Sequence, residues 1–263
     1  MAALRAAKSV LVAFSGGVDS SYLALAARRA LGERALAITA VSPSYPASHR
    51  AMAEAVVARL GMPHRFVETH EMEREAYRSN GPDRCYHCKS ELFSVLLRLR
   101  DELGFAAVAY GVNADDARDF RPGHRAARER GILSPLLDAG LGKEEIRTLS
   151  RAAGLPTADL PASACLSSRL PYGTPVTSER LHQIEQAEDL LRAMGFRQVR
   201  VRHHGDVARV EVATEELPFA LDLSTARAIS AALRPLGFRW VCLDLDGYRT
   251  GSLNEALPPD TPR

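Results

Sequence analysis

The sequence is short of lysine: Lys8, Lys89 and Lys143 are the only lysines among its 34 basic residues. It also lacks an excess of either charge, because the formal net charge is +2. A protein with this balance has no global positive field that would attract nucleic acid. Arginine carries most of the positive charge, and its planar guanidinium group suits phosphates and carboxylates. Nucleic acid is therefore not an expected partner.

Long apolar runs and a secretory pattern are also missing. No stretch approaches the ~20 apolar residues of a membrane-spanning helix, and the first apolar run has only about the length of one strand. We therefore expect a cytoplasmic protein without a membrane partner. In that compartment the four cysteines do not form a disulfide framework, which favours metal-binding or catalytic roles for them.

The most informative stretch runs from Ser9 to Ser21, where an apolar, β-branched segment meets two glycines and then a helical pattern. This order predicts a strand, a tight turn and a helix N-terminus. Glycine permits a close backbone approach, and the N–H groups of the first helical turn form an anion site. No lysine follows the glycines, which excludes the Gly-x-x-x-x-Gly-Lys-Ser/Thr loop. The predicted phosphate-binding residues are Ser15, Gly16, Gly17, Val18, Asp19 and Ser20.

Strand and helix patterns alternate through residues 1–157, with further strands at 35–41, 64–68 and 106–110. Alternation predicts an α/β fold with a doubly wound parallel sheet, whose ligands bind beyond the carboxyl ends of the strands. Gly111, Asp115 and Asp116 follow the 106–110 strand and are predicted to join the nucleotide site. The paired carboxylates suit Mg²⁺ on phosphate oxygens, and a helix N-cap is the plainer alternative for one of them. The arginines that come next can meet phosphate or face solvent: Arg118, Arg121 and Arg125.

Prolines at 156, 161, 171 and 175 mark a domain boundary. The prediction is a nucleotide-binding domain at 1–157, a linker at 158–175, a second domain at 176–257 and a disordered tail at 258–263. The second domain begins with an amphipathic helix, 178–194, capped by Ser178. A hairpin and a helix–strand pair complete a smaller α+β domain, with segments at 198–202, 208–212, 224–233 and 240–245.

Three of the cysteines form a candidate metal-binding set. Cys85 and Cys88 stand three residues apart at the start of a helical pattern, so both can reach one metal, and Cys165 lies in the linker. Cys242 falls in an apolar strand and is predicted to be a small core residue. Zinc normally takes a fourth protein ligand, for which His87 or a residue near Cys165 is available. An iron–sulfur cluster tolerates three cysteines and leaves one iron open. A coincidental Cys-x-x-Cys is the third alternative.

The run Ser15-Gly-Gly-Val-Asp-Ser20 resembles the pyrophosphate loop of the ATP pyrophosphatases, which cut ATP between the α- and β-phosphates to adenylylate an acceptor. Nearly the whole chain is similar to the LarE family of ATP-dependent sulfur transferases, which make the nickel-pincer nucleotide cofactor. The motifs that carry this resemblance lie at 111–116, 121–123, 134–136, 164–169 and 171–173.

The resemblance implies an enzyme that uses ATP and Mg²⁺ to adenylylate a carboxylate of pyridinium-3,5-biscarboxylic acid mononucleotide and then converts it to a thiocarboxylate. Sulfide or another donor supplies the sulfur, and we expect a homo-oligomer. Some family members sacrifice the sulfur of the cysteine that matches Cys165. Others also have Cys-x-x-Cys and are similar to tRNA thiolases with a [4Fe–4S] cluster, so Cys85, Cys88 and Cys165 are implied as cluster ligands.

The resemblance also implies roles for residues outside the phosphate loop. Asp19, Cys165 and Glu188 are implied as catalytic, and Arg169 as a substrate ligand. The same role is predicted for Arg200 and Arg202, which lie two apart on one strand and so point the same way. Such a pair can bind a mononucleotide phosphate through charge-assisted bonds.

Three other functions stay open at this point. A tRNA-thiolating enzyme would need a basic patch and usually an added RNA-binding module. An amide-forming ligase similar to NAD synthase would need ammonia but no set of three cysteines. A zinc-stabilised, non-catalytic nucleotide-binding module would leave Asp19, Asp115 and Asp116 without a purpose.

Overall fold

The structure is a computed structural model, and it describes residues 1–116, 122–161, 164–249 and 251–256. Arg118, Arg121 and the tail predicted from residue 258 lie outside the described residues. Within the described part of the chain, no helix combines the length and the apolar character needed to cross a membrane.

The chain divides into two compact units. The first contains Met1–Tyr77 and the described residues within 83–161, and the second contains Arg78–Pro82 and the described residues within 164–256. The main change of unit therefore falls inside the segment predicted as a linker. The short segment Arg78–Pro82, predicted as part of the first domain, belongs to the second unit.

The first unit is built on four parallel strands: β1 (Val10–Ala13), β2 (Ala35–Val41), β3 (His64–Glu68) and β4 (Ala107–Tyr110). They lie in the order β3-β2-β1-β4, and their carboxyl ends share one edge of the sheet. The helices of this part of the chain are α1 (Ala2–Ala6), α2 (Val18–Leu31), α3 (Ala47–Leu60), α4 (Glu75–Arg78), α5 (Arg84–Leu103), α6 (Pro122–Glu129), α7 (Pro135–Asp138) and α8 (Lys143–Ala152). The predicted α/β class with a parallel sheet is confirmed.

Alternate residues of β1 face opposite sides of this sheet. Val10 and Val12 pack in an apolar cluster with residues of α2, α3 and α8, whereas Leu11 packs in a second cluster with residues of α5 and α6. Each such buried side chain stabilises the fold by roughly 1.5–3 kcal/mol. Burial on both faces explains why the strand is a continuous apolar run in the sequence.

The second unit has a small mixed sheet of β5 (Val199–His204), β6 (Val207–Val212) and β7 (Trp240–Leu243), in that order. β5 and β6 pair antiparallel, as the hairpin pattern predicted, and β7 pairs parallel to β6. The helices of this unit are α9 (Ser178–Ala193), α10 (Leu217–Leu221) and α11 (Leu223–Leu233).

Two predictions about the second unit are wrong. Thr177, not Ser178, caps α9, because the Thr177 side chain accepts the N–H of Arg180 at 3.3 Å. Cys242 is exposed instead of lying in the core. It lies on the edge strand β7, whose alternate residues Val241 and Leu243 pack against the core.

Candidate active site

The predicted phosphate loop joins β1 to α2 at the carboxyl edge of the sheet. Ser20 Oγ accepts the N–H of Ser15 at 3.2 Å, and the two serine hydroxyl oxygens lie 3.0 Å apart. Tyr45, which the sequence analysis did not single out, donates its hydroxyl to the carbonyl of Ser15 at 3.3 Å. Burial raises the pKa of Tyr45 to about 12. Tyr45 is therefore a neutral donor that braces the loop at physiological pH.

Two glycines give the loop its shape. Gly16 has a φ of +77°, and a Cβ there would lie 3.2 Å from the backbone of Ala53, so both conformation and space favour glycine. Gly17 is the N-cap of α2, whose first turn begins with Val18 and Asp19. The first N–H groups of a helix have no partner inside the helix. At this position they are available to an anion, as in other helix N-termini that bind phosphate.

The second predicted segment begins at Gly111, directly after β4. A Cβ on Gly111 would lie 2.8 Å from the backbone nitrogen of Ser20 and 3.0 Å from the carbonyl carbon of Asp19. β1 and β4 are neighbouring parallel strands, so their carboxyl ends meet. The structure thus brings Gly111 against the first turn of α2, at a contact where only glycine fits.

This contact makes Gly111→Ala a test of how tightly the two segments are joined. The added methyl group meets backbone atoms, so we expect a loss of about 1–3 kcal/mol in the free energy of unfolding, the usual cost of overpacking. Urea unfolding measures this loss. Gly17→Ala is the matched control, because its Cβ would meet only Ser15 Oγ at an ordinary 3.5 Å. Equal losses in the two variants would contradict the close approach.

The paired carboxylates lie in a turn organised by the buried side chain of Asn113. Asn113 Oδ1 accepts the N–H groups of Asp115 and Asp116 at 2.9 and 3.0 Å. Asp115 Oδ2 accepts the backbone N–H of Lys143 at 2.7 Å, at the start of α8. Asp115 therefore stabilises a helix N-terminus, and Asp116 Oδ2 accepts the N–H of Asn113 at 3.4 Å.

Lys143 is a candidate functional residue that the sequence analysis missed. Its Nζ lies 2.8 Å from Asp19 Oδ2, although the two residues are 124 positions apart. Asp19 Oδ1 is buried and has no hydrogen-bond partner among the residues that the structure describes. The phosphate loop has no lysine of its own, and Lys143 places an ammonium group beside it. No local signal in the sequence identifies it, because the contact with Asp19 spans 124 positions of the chain.

The carboxylate of Asp19 is chemically suited to hold a Mg²⁺ ion in this site. The orphaned, buried Asp19 Oδ1 is a suitable oxygen ligand. Mg²⁺ usually takes one or two carboxylates and completes its octahedron with substrate phosphates and water. The described residues contain no group of three or more His, Cys, Asp or Glu side chains placed to hold a metal, and a phosphate-bound Mg²⁺ does not require one.

No disulfide links the cysteines, all four of which lie in the described part of the chain. Cys85 is exposed and Cys88 half-buried in the first two turns of α5, whereas the half-buried Cys165 precedes a short 3₁₀ turn in the second unit. Three thiols are the donor set that a [4Fe–4S] cluster accepts. His87, considered as a fourth zinc ligand, has its Nε2 3.0 Å from Asp83 Oδ2. No assembled metal-binding group occurs among the described residues, so only the chemistry of the three thiols supports a cluster.

Glu188 is a buried carboxylate on α9 that is paired with Arg169, and these side chains are 1% and 2% exposed. Arg169 Nε and Nη2 donate to the two carboxylate oxygens at 2.7 and 2.9 Å. Arg192 Nη2 and the N–H of Val201 also donate to this carboxylate, at 2.8 and 3.1 Å. Burial raises the pKa of Glu188, but the Arg169 charge beside it has the opposite effect and the net pKa is lowered. Glu188 is therefore an ionised acceptor with four donors, which favours a positioning role over proton transfer.

Arg202 is also paired with a buried glutamate. Its Nε and Nη2 donate to the two carboxylate oxygens of Glu211 at 2.9 and 2.7 Å. Its remaining terminal nitrogen, Nη1, donates to the carbonyl of Ser168 at 2.8 Å. The guanidinium group of Arg202 is thus largely occupied by protein acceptors.

Arg200 lies two residues earlier on the same strand and is surrounded differently. Its Nη1 donates to the carbonyl of Val199 at 2.8 Å, and its guanidinium carbon lies 5.3 Å from the ring centre of Tyr248. Burial, followed by the nearby charge of Arg169, lowers the pKa of Arg200 to about 10. Arg200 still carries its charge at neutral pH, and the nearby Glu188 carboxylate acts on its pKa in the opposite direction, raising it.

Comparison with known proteins gives matches over part and over nearly all of the chain. A model of the asparagine synthase family matches residues 1–89. An uncharacterised protein of Synechocystis is 45% identical over 248 residues, which cover 94% of this chain and 92% of that protein. The pyridinium-3,5-bisthiocarboxylic acid mononucleotide synthase of Lactiplantibacillus plantarum is 35% identical over 258 residues, which cover 98% of this chain and 93% of that protein. An uncharacterised protein of Methanocaldococcus jannaschii is 27% identical and covers 92% of each chain.

Proposed function

The chain belongs to the LarE family of ATP-dependent sulfur transferases, and we propose that its substrate is pyridinium-3,5-biscarboxylic acid mononucleotide. The product is the thiocarboxylate, the chemical class in the name of the Lactiplantibacillus plantarum synthase. ATP activates one carboxylate of the substrate, and sulfur then replaces one of its oxygens. A second round on the other carboxylate gives the bisthiocarboxylate, a precursor of the nickel-pincer nucleotide.

The observation that carries the proposal is the phosphate site of the first unit. A glycine loop, a helix N-terminus, the Lys143 ammonium group and an orphaned oxygen of Asp19 lie together at one edge of the sheet. This combination suits a nucleoside triphosphate with its metal ion. The match to asparagine synthases over residues 1–89 includes the glycine loop and Asp19 of this site. It therefore supports the activation of a substrate by ATP and does not by itself favour an amide product.

In the first step, a substrate carboxylate oxygen attacks the α-phosphorus of ATP. The bond between that phosphorus and the bridging oxygen breaks, and pyrophosphate leaves. We propose that the N–H groups at the start of α2 and the Lys143 ammonium group stabilise the charge that develops on pyrophosphate. Asp19, together with Asp115 or Asp116, would hold Mg²⁺, which when bound would neutralise part of the same charge.

In the second step, a sulfur nucleophile attacks the acyl carbon and AMP leaves. A carboxylate cannot undergo this substitution directly because oxide is a poor leaving group, whereas the adenylate makes AMP the leaving group. Cys85, Cys88 and Cys165 would hold a [4Fe–4S] cluster, which supplies, when bound, an open iron site for the sulfide to be transferred. Without a cluster, the Cys165 thiolate itself is the nucleophile and forms a thioester. Removal of the Cα proton of Cys165 then breaks its Cβ–S bond, which releases the thiocarboxylate and leaves dehydroalanine in the chain.

We propose that Arg200 binds the phosphate of the substrate. Arg200 is buried and retains its charge at neutral pH, and a guanidinium group in such surroundings forms strong charge-assisted bonds to phosphate.

Iron and acid-labile sulfide analysis after anaerobic purification tests the source of sulfur. We expect about four irons per chain, as a [4Fe–4S] cluster requires, and no change in intact mass after turnover with ATP and the mononucleotide. A chain without iron that loses one H₂S at Cys165 would show a single-use enzyme instead. Failure to form AMP from ATP in the presence of the mononucleotide would contradict the proposed reaction itself.

A further inference from the structure

The segment that carries Cys165 is attached to the second unit through the side chain of Arg169. Arg169 Nη1 donates to the carbonyl oxygens of Ala164 and Cys165 at 2.8 and 2.9 Å. Ser168 Oγ donates to the Cys165 carbonyl as well, at 2.8 Å. The backbone on both sides of the reactive thiol is thus held by the buried Arg169 and the half-buried Ser168.

The other edge of the Arg169 guanidinium group is locked in place. Nε and Nη2 form two parallel bonds to the carboxylate of Glu188, and this bidentate geometry fixes both the position and the plane of the group. Because Glu188 also accepts the backbone N–H of Val201 on β5, the chain of contacts runs from the sheet through Glu188 and Arg169 to the Cys165 carbonyl.

A second pair holds the far end of the same segment. Arg202, fixed on Glu211, donates its Nη1 to the carbonyl of Ser168 at 2.8 Å. The two pairs therefore hold the segment 164–168 at both ends. A ligand for substrate phosphate would need its donors free, whereas Arg169 directs its donors to the protein backbone.

We propose that Arg169 is a positioning residue for Cys165, anchored by Glu188, and not a substrate ligand. This inference rests on the proposed function only in taking Cys165 as the reactive thiol. Sulfur transfer needs the nucleophile within close reach of the acyl carbon, and small misplacements of a reacting group are costly. Two arginine–glutamate pairs on a rigid sheet and helix provide that placement.

Alkylation of Cys165 in the full-length protein tests this role without relying on turnover. Arg169→Lys keeps the charge beside Glu188, but an ammonium group cannot bond both the carboxylate and the two carbonyls in this geometry. Local opening of the segment should then increase, and we expect iodoacetamide to modify Cys165 about tenfold faster. Mass spectrometry of the Cys165 peptide gives the rate, with variants compared at equal iron content.

Arg192→Gln is the matched control. Arg192 donates to the same Glu188 carboxylate and to Asp189 from the outer side of α9, so its loss should leave the alkylation rate within about twofold, the range of ordinary surface changes. Glu188→Gln removes the anchor charge and should act in the same direction as Arg169→Lys. Thermal unfolding of each variant verifies that the fold is retained.

Steady-state kinetics provide the second readout. We expect Arg169→Lys to lower kcat with the KM values for ATP and for the mononucleotide unchanged. A raised KM for the mononucleotide with a normal alkylation rate would overturn the proposal and make Arg169 a substrate ligand. Alkylation at the wild-type rate in both Arg169→Lys and Glu188→Gln would also overturn it. Absence of any thiolated product from the wild-type enzyme would instead refute the proposed function. It would not bear on the positioning role of Arg169, because the alkylation rate is measured without turnover.

Discussion

Replacing Lys143 with methionine is expected to slow ATP-dependent pyrophosphate release by roughly 100- to 1,000-fold, the usual loss when one preorganised donor to a developing charge is removed. In the structure the Lys143 ammonium group lies 2.8 Å from Asp19 Oδ2, beside a phosphate loop that has no lysine of its own. Pyrophosphate gains negative charge as it leaves, and methionine has a similar length without the charge. Single-turnover release of pyrophosphate, with ATP and the mononucleotide in excess over enzyme, measures the effect.

Lys8→Met is the control for this prediction. It removes the same charge from an exposed position before β1, so pyrophosphate release should remain at the wild-type rate. The backbone N–H of Lys143, which bonds Asp115, is retained in Lys143→Met, and thermal unfolding should change little. A variant that binds ATP and releases pyrophosphate at the normal rate would show that Lys143 serves only to neutralise Asp19.

The sequence was sufficient for the parts of the site that are made by local backbone geometry. The run from Ser15 to Ser20 encodes a strand, a turn and a helix N-terminus within a few residues. The placement of Gly111 followed from a general property of parallel sheets, whose ligands bind at the carboxyl ends of the strands. Both segments lie where that argument puts them.

The contribution of Lys143 could not be predicted in the same way. It lies 124 residues from its partner Asp19, and its position depends on how α8 packs against the sheet. Tyr45 is a similar case, because its bond to Ser15 joins two loops through tertiary structure. Side chains that meet only after the helices have docked leave no periodic signal in the sequence.

For the arginines of the second unit, the sequence predicted the residues but not their partners. Their spacing on one strand indicated a shared direction, but it gave no information about their partners. Arg202 and Arg169 each meet a buried glutamate, which accounts for charges that otherwise look available to a substrate. A buried guanidinium group must be paired to offset its loss of water, so the partner determines the role more than the spacing does.

Replacing Cys165 with serine is expected to reduce formation of the thiocarboxylate by more than about 1,000-fold while pyrophosphate release stays near the wild-type rate. Serine has almost the shape of cysteine, so the contacts of the Cys165 carbonyl with Arg169 and Ser168 should persist. The hydroxyl group is a much weaker nucleophile than a thiolate and does not ligate iron as a thiolate does. The carboxylate attack on ATP does not use the thiol, and it should continue.

Cys242→Ser serves as the control, because Cys242 is exposed on the edge strand β7 and no step of the proposed reaction uses it. Thiolated product and released pyrophosphate are measured in the same reaction, so the two steps are compared directly. Wild-type product formation by Cys165→Ser would contradict every form of the proposal.

Cys85→Ser then distinguishes the two sources of sulfur. If Cys165 alone gives up its sulfur, the variant still completes one turnover, because Cys85 lies on α5 and is not needed for a single nucleophilic attack. If the three thiols hold a cluster, removing one ligand should cause the loss of iron and of product together, to nearly the same extent as Cys165→Ser. The ratio of product to enzyme in the first turnover therefore decides whether Cys85 and Cys88 take part in sulfur transfer.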